Sequence, residues 1–270
     1  MPLTDMPVAP DRCPCAPLAA PQGAARAGVR EGWVHSIETG AAADGPGIRY
    51  VVFLSGCPLR CLYCHNPDTW HQRNGRLAAA DEILSDIARY RGFLRAGRGG
   101  VTISGGEPLA QPRFTAALLR GCKALGLHTA MDTSGVAGNK ADDAMLADVD
   151  LVLLDIKAFS EARYRRLTGA PLAPTLAFAH RLAAVGKPVW LRYVLVPGLT
   201  DDRREIEALA GFAAGLGNVE RVDVLPFHKL GEYKWADSGR PYRLADVSPP
   251  SRELVDEVCG LFRSHGLRTA

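Results

Sequence analysis

Three cysteines fall within eight residues of this chain, in the stretch SGCPLRCLYCHN that runs from Ser55 to Asn66. Their spacing is Cys57-x-x-x-Cys61-x-x-Cys64. Thiols this close either oxidise to a disulfide or hold a metal. Two metal readings compete. A structural zinc needs four ligands, with His65 as the fourth, but zinc ligands usually come as two separated pairs. His65 also directly follows Cys64, where binding the same ion is strained. An iron–sulfur cluster takes close-set thiolates, normally four for a cubane. Three thiolates leave one iron open, and an open position is what distinguishes catalytic metals from structural ones.

Other reactive residues recur at regular places, and the elements that position them explain why. After Gly32 the chain alternates β-branched runs with amphipathic ones. Strands are expected at RYVVFLSG, GVTISGG, LHTAMDTSG, LVLLDIKA, PVWLRYVLVPG and VERVDVLPFH. Between them lie helical stretches, such as DEILSDIARYRGFLRAG with Ile83, Leu84, Ile87, Tyr90 and Leu94 at helical spacing, and a final helix SRELVDEVCGLFRSHG. Six strands joined by crossover helices predict a buried parallel sheet. An open doubly wound sheet and a partial barrel both satisfy that pattern. In either, function belongs at the carboxyl ends of the strands. The residues there are the cysteine run, Ser104–Glu107, Asp132–Gly135, Asp155–Lys157, Arg192 with the following VPG, and His228. Polar and glycine-rich residues at one end of all six strands predict a single active site.

Composition narrows the class. The chain has 270 residues, 47% hydrophobic and 23% charged, with a formal charge of +3. That suits one large soluble domain, and the charge is too mild and scattered to argue for nucleic acid. No apolar run approaches the roughly 20 residues that span a bilayer. Residues 1–30 are rich in Pro and Ala and make a poor signal peptide, so they are expected to form an extended tail before a domain at 31–270. Cys13 and Cys15 sit in that tail with nothing near to complete a site. Seven cysteines without a secretory signal make a disulfide scaffold an unsuitable reading and point to the cytoplasm. Cys122 and Cys259 fall in helical stretches and are expected as buried apolar residues.

The cysteine trio with Tyr63 before its last member, followed by SGGEP at Ser104–Pro108, resembles the radical S-adenosylmethionine family. DGPGIR at Asp44–Arg49, GCPLRCLYCHNPDTW, LLDIK, LRYVLVPGLTDD and LPFHKLGEYKW are further similar to the activating enzymes of glycyl radical enzymes, most of all those of pyruvate formate-lyase. The similarity runs from about Gly32 to the end. It implies an α/β fold, a partial (β/α)6 barrel of the TIM type. It also implies a [4Fe–4S] cluster on Cys57, Cys61 and Cys64 whose open iron binds the amine and carboxylate of S-adenosylmethionine. One electron then cleaves the sulfonium bond, and the 5′-deoxyadenosyl radical removes one hydrogen from a glycine Cα of the partner enzyme. Between Cys64 and Gly105 there is no cysteine, hence no ferredoxin-like insert, which points to the compact formate-lyase type. An activase of another glycyl radical enzyme is the alternative, and a non-catalytic zinc or iron–sulfur protein a more distant one.

The resemblance also implies roles. Tyr63, Gly105, Gly106, Glu107, Asp155, Ile156, Lys157, Arg192 and His228 are expected around the cofactor. Asp132, Thr133 and Asp155, with a carbonyl near Leu153, are expected at a monovalent cation, although capping of loops would equally employ those carboxylates. The Gly-Pro-Gly loop after Asp44 is either a contact for the partner or a tight turn. The expected partners are a glycyl radical enzyme, pyruvate formate-lyase first, and a flavodoxin or ferredoxin as electron donor, with the chain itself a monomer. The tail, the proline of SGGEP, and Ser134 where asparagine is familiar depart from the closest pattern.

Overall fold

The computed structural model describes residues 30–270, so Cys13, Cys15 and the expected tail lie outside the described residues. The first strand among the described residues is β1 (Glu31–Ala41). β2 (Arg49–Leu54) pairs with it antiparallel, and so does the short β3 (Arg76–Ala79) on its other side. Then come α1 (Ala80–Ala96), β4 (Gly100–Gly105), α2 (Pro112–Ala124), β5 (His128–Thr133), α3 (Asp143–Ala147) and β6 (Leu151–Asp155). The chain continues through α4 (Glu161–Thr168), α5 (Ala173–Ala184), β7 (Val189–Leu195), α6 (Arg203–Leu216), β8 (Val219–Pro226), α7 (Glu232–Asp237) and α8 (Arg252–Ser264).

The strands form one sheet in the order β3-β1-β2-β4-β5-β6-β7-β8. From β2 to β8 every pairing is parallel. This order settles what the sequence left open. A doubly wound sheet reverses its strand order at a switch point, whereas here each parallel strand lies beside the one before it. The result is a partial (β/α)6 barrel, with β3 and β8 as edges that do not meet. The C-terminus covers part of one edge, since Val222 N donates to Arg268 O and Ala270 N to Val222 O.

Alternation along the strands separates two environments. On β7, Val189, Leu191, Tyr193 and Leu195 are buried, while Trp190, Arg192 and Val194 on the opposite face are partly exposed. The first set packs under the helices, where α6 buries Ile206 and Leu209 and α2 buries Phe114, Leu118 and Cys122. The second set faces the barrel interior. Its lower part is filled by Ala130, Leu151, Leu153 and Trp190, with the Arg221 guanidinium 3.6 Å from the Trp190 ring. These side chains floor the barrel and leave its upper part open.

Two strands and two helices were not legible. β1 (EGWVHSIETGA) buries only Val34, Ala41 and Gly32, because much of it is solvent-facing, so its pattern does not stand out. β3 has four residues and one buried side chain. α4 (EARYRRLT) is nearly all polar, and only Tyr164, Leu167 and Thr168 enter the core. α7 is a six-residue helix whose single buried residue is Trp235. Cys122 and Cys259 are buried on α2 and α8, as expected. No helix among the described residues is long and apolar enough to cross a membrane.

Candidate active site

All six parallel strands deliver residues to one cavity of about 460 Å³. Cys57, Cys61 and Cys64 line it on the loop that follows β2. That loop is anchored along its length. Gly56 N donates to Thr69 O at 2.6 Å, Arg60 N to Thr168 O at 2.7 Å and Leu62 N to Leu167 O at 3.0 Å. The Arg60 guanidinium donates back to the Cys57 carbonyl at 2.7 Å. α4, the helix that sequence reasoning missed, thus provides one wall of the cysteine loop.

Burial pushes all three thiols up. Cys61 reaches about 12, because burial outweighs the opposing pull of Lys157, with a smaller upward contribution from Cys64. Cys57 is raised by burial and by Cys61, and Cys64 by burial against the Asn66 backbone and the Trp70 indole. Bare thiols here stay protonated at neutral pH, and only a cationic metal group makes them thiolates. Among the described residues, no three His, Cys, Asp or Glu side chains are grouped to hold one metal ion. His65, the fourth ligand a zinc would need, is engaged elsewhere. Its Nε2 lies 3.1 Å from the His228 carbonyl and its ring 4.1 Å from that of His228.

Opposite the cysteines stands a group of charges. Arg192 reaches Asp132 at 3.1 Å and Asp44 at 3.5 Å, and Lys157 meets Asp155 at 2.6 Å. Burial opposes the Arg192 charge, yet Asp132, Asp155 and Asp44 hold its pKa above the ordinary value. Lys157 behaves alike, with Asp155 and Tyr63 overcoming burial. Asp132 is raised by burial, although Arg192 and the Ser104 hydroxyl, 2.7 Å away, stabilise its anion. Three carboxylates and two cations thus share the wall. Asp155 Oδ1, Arg192 Nε and the Tyr63 hydroxyl are buried without a hydrogen-bond partner. Buried polar atoms are nearly always satisfied in folded proteins, so three orphans around one cavity mark it as the seat of a polar ligand.

Most of the expected residues meet here. Tyr63, Gly105, Gly106, Asp132, Thr133, Asp155, Lys157, Arg192 and His228 all line the cavity with the cysteines. Glu107 and Ile156 do not. Glu107 is 1% exposed and accepts from Thr133 Oγ1 at 2.6 Å, Ser134 Oγ at 2.6 Å, Ser134 N at 3.0 Å and Leu109 N at 3.1 Å. It ties the loop after β4 to the end of β5, and burial outweighs those donors to raise its pKa. Ile156 follows inward-facing Asp155, so alternation turns it outward into the core, where it is fully buried. Of the residues expected at a monovalent cation, Thr133 gives its hydroxyl to Glu107, and Asp132 and Asp155 face cationic side chains.

The two glycines that line the cavity also govern how its walls pack. Gly105 has φ +121°, and a Cβ there would stand 2.1 Å from Leu54 N. A Cβ on Gly106 would stand 2.6 Å from the Gly56 carbonyl and 3.0 Å from Cys57 Cβ. Both are needed to bring β4 and the cysteine loop together. Ser104 lines the cavity, as its strand end predicted, whereas sequence reasoning missed Asp44 as a cavity residue. Asp44 is carried in from the loop before β2, its carbonyl held by Thr102 Oγ1 at 2.6 Å. A carboxylate set directly before Gly-Pro-Gly was the available signal.

Comparison with known proteins agrees with this geometry. The family described as the radical SAM superfamily matches residues 51–210, more than half of the chain. The pyruvate formate-lyase-activating enzyme of Staphylococcus epidermidis is 44% identical over 235 residues, covering 84% of this chain and 94% of that protein. The pyruvate formate-lyase 1-activating enzyme of Escherichia coli (strain K12) is 40% identical over 237 residues, covering 87% and 96%. Among solved structures, a domain of pyruvate-formate lyase-activating enzyme from Bacteroides vulgatus aligns with a TM-score of 0.54 at 26% identity, over 64% of this chain and 98% of that one. Streptococcus suis SuiB bound to precursor peptide SuiA aligns with a TM-score of 0.63 at 19% identity, over 84% and 49%, a likeness of fold.

Proposed function

The chain belongs to the radical SAM superfamily, within the group of pyruvate formate-lyase-activating enzymes, and from that premise we propose how its residues divide the work of placing a radical on a glycine of pyruvate formate-lyase. The observation that carries the reading is the cavity itself, with three thiols on one wall and unsatisfied charged groups on the other. The residues fit both cofactors of the family. Cys57, Cys61 and Cys64 would hold a [4Fe–4S] cluster, leaving one iron without a protein ligand. The opposite wall has three carboxylates against two cations, and this suits S-adenosylmethionine, whose sulfonium and ammonium outnumber its carboxylate. When bound, cluster and cofactor supply the one-electron cleavage of a sulfonium bond and the acceptor for a hydrogen atom from a glycine Cα.

The protein's own tasks follow from its geometry. Arg192 and Lys157 stay protonated among their carboxylates and offer fixed donors to the anionic end of the cofactor. Asp155 Oδ1 and the Tyr63 hydroxyl, free of protein partners, remain for its polar groups. His228 and Tyr63 provide flat faces beside the cavity for adenine. The barrel floor of Ala130, Leu151, Leu153 and Trp190 keeps water from entering below. Asp44 stands with Arg192 on the side reached through the loop before β2, where a glycine-bearing segment of the partner would enter an incomplete barrel. No general acid–base pair is needed, because no proton is transferred from the glycine.

The electron donor on this reading is a flavodoxin or ferredoxin, and the chain works as a cytoplasmic monomer. The reduced state its buried thiols require supports that compartment. The test is to mix the reconstituted, reduced chain with pyruvate formate-lyase and S-adenosylmethionine. A glycyl doublet in the paramagnetic resonance spectrum of the lyase is expected. Cofactor cleavage without that doublet would keep the chemistry and reassign the partner to another glycyl radical enzyme.

A further inference from the structure

The cysteine loop is fastened to a segment far along the chain. Trp235 Nε1 donates to the carbonyl of Cys64 at 2.9 Å across a separation of 171 residues. Lys234 Nζ donates to Asn66 Oδ1 at 2.7 Å and lies 3.7 Å from Asp68. His65 Nε2 meets the His228 carbonyl at 3.1 Å. A Cβ on Gly231 would stand 2.5 Å from the His65 carbonyl oxygen, so the two backbones touch. The Trp235 ring also meets Trp70 edge-on at 5.2 Å, and Trp70 O accepts from Cys57 N at 3.2 Å.

These contacts differ in kind from those inside the loop. Cys64 N donates to Cys61 O at 3.1 Å and Thr69 N to Asn66 O at 2.9 Å. Such local bonds shape the loop without locating its second half on the barrel. The α4 contacts locate Arg60 and Leu62, before the third cysteine. Past Cys64, His35 Nε2 meets Asp68 at 2.9 Å and Gly56 N donates to Thr69 O at the end of the loop, while the contacts nearest the third cysteine come from His228–Trp235. α7 is far too short to be a stable helix alone, and Trp235 is its only buried residue.

We infer that Trp235 is a positioning residue for the cluster, fixing the backbone of Cys64 so that the third thiol faces the other two. The segment from His228 to Trp235 is a staple from the last strand onto the cysteine loop. This rests on the cluster reading above. Groups that orient a ligating residue from outside commonly change metal retention by about 10–100-fold when removed.

The experiment uses the full chain, reconstituted without oxygen, and follows iron release to an excess of chelator, with the melting temperature of the metal-free form measured beside it. Trp235→Phe keeps an aromatic ring beside Trp70 and removes the donor together with part of the indole volume, which is why the metal-free melting temperature is measured beside it. About tenfold faster release is expected, with the metal-free melting temperature within about 4 °C of the parent. Lys234→Leu should release faster too, by a smaller factor. Release from Trp235→Phe at the parental rate overturns the inference. Should Trp235→Phe lower the metal-free melting temperature as well, Lys234→Leu decides: faster release from a normally melting chain supports the staple, and parental release overturns it. A parent chain that takes up no iron overturns the cluster reading, and this inference with it.

Discussion

At the scale of single residues, the chemistry depends on which groups are left unsatisfied and which are not. The three cysteines are raised by burial and are inert thiols until a metal group is present. Replacing any one with Ala should therefore abolish cleavage of S-adenosylmethionine while leaving the metal-free chain folded, as circular dichroism would show. A variant with full cleavage would refute the ligand assignment. Glu107 is the opposite case, a carboxylate with four donors aimed at it. Glu107→Gln turns an amide N–H₂ toward at least one of them. It should cost about 1–3 kcal/mol in a denaturant titration, and an unchanged midpoint would return Glu107 to the cavity. Its spacing in SGGEP predicted a place around the cofactor, but its carboxylate turns from the cavity to Thr133 and Ser134. What the sequence could not reveal is the direction of its side chain, which Thr133 and Ser134 decide from another strand.

At the scale of elements, strand ends carry the site and helix ends hold the strands in place. α6 is capped by Asp202, whose carboxylate accepts from Arg204 N at 3.0 Å and Glu205 N at 3.2 Å. The Glu205 amide and nearby Arg163 keep its pKa below the usual carboxylate value. A group depressed in the folded state contributes stability above its unfolded pKa, near 4, and loses it as the pH falls through the folded value. Asp202→Ala should cost about 1 kcal/mol at neutral pH. Asp202→Asn should keep most of the cap and flatten the acid limb of the stability profile. Equal slopes for parent and Asn variant below pH 4 would contradict this. The long, periodic elements were legible because each buries one face. β3, α4 and α7 were not, since each buries one to three side chains and is held by neighbours rather than by its own pattern.

At the scale of the whole molecule, the barrel is closed below and open at the side. Arg49 is central to the lower closure. It is fully buried at the start of β2 and donates to Thr102 Oγ1 at 2.9 Å, Val101 O at 2.5 Å and Pro46 O at 3.3 Å. Burial lowers its pKa to about 10, against the pull of Asp150 and Asp44, so it is charged at neutral pH. Thr102 in turn holds the Asp44 carbonyl. Arg49→Met should therefore cost on the order of 3 kcal/mol through abandoned acceptors. That is roughly 10 °C in the melting temperature at this chain length, and a parental melting temperature would remove Arg49 from the structural role. The strand order that makes this a barrel was not legible in the strand and helix pattern, since six βα units fit two topologies, but the motif resemblance implied the partial barrel and the order of the sheet agrees with it. The cavity itself was largely legible, since the topology gathers strand ends whatever the order.

The most direct measurement is electron paramagnetic resonance of the anaerobically reconstituted, dithionite-reduced chain, with and without S-adenosylmethionine. A reduced [4Fe–4S] signal that changes shape when the cofactor is added is expected, because the iron without a cysteine is where the cofactor binds. A cluster signal indifferent to S-adenosylmethionine, or a chain that binds zinc and shows no iron signal, would contradict the three-thiol catalytic site.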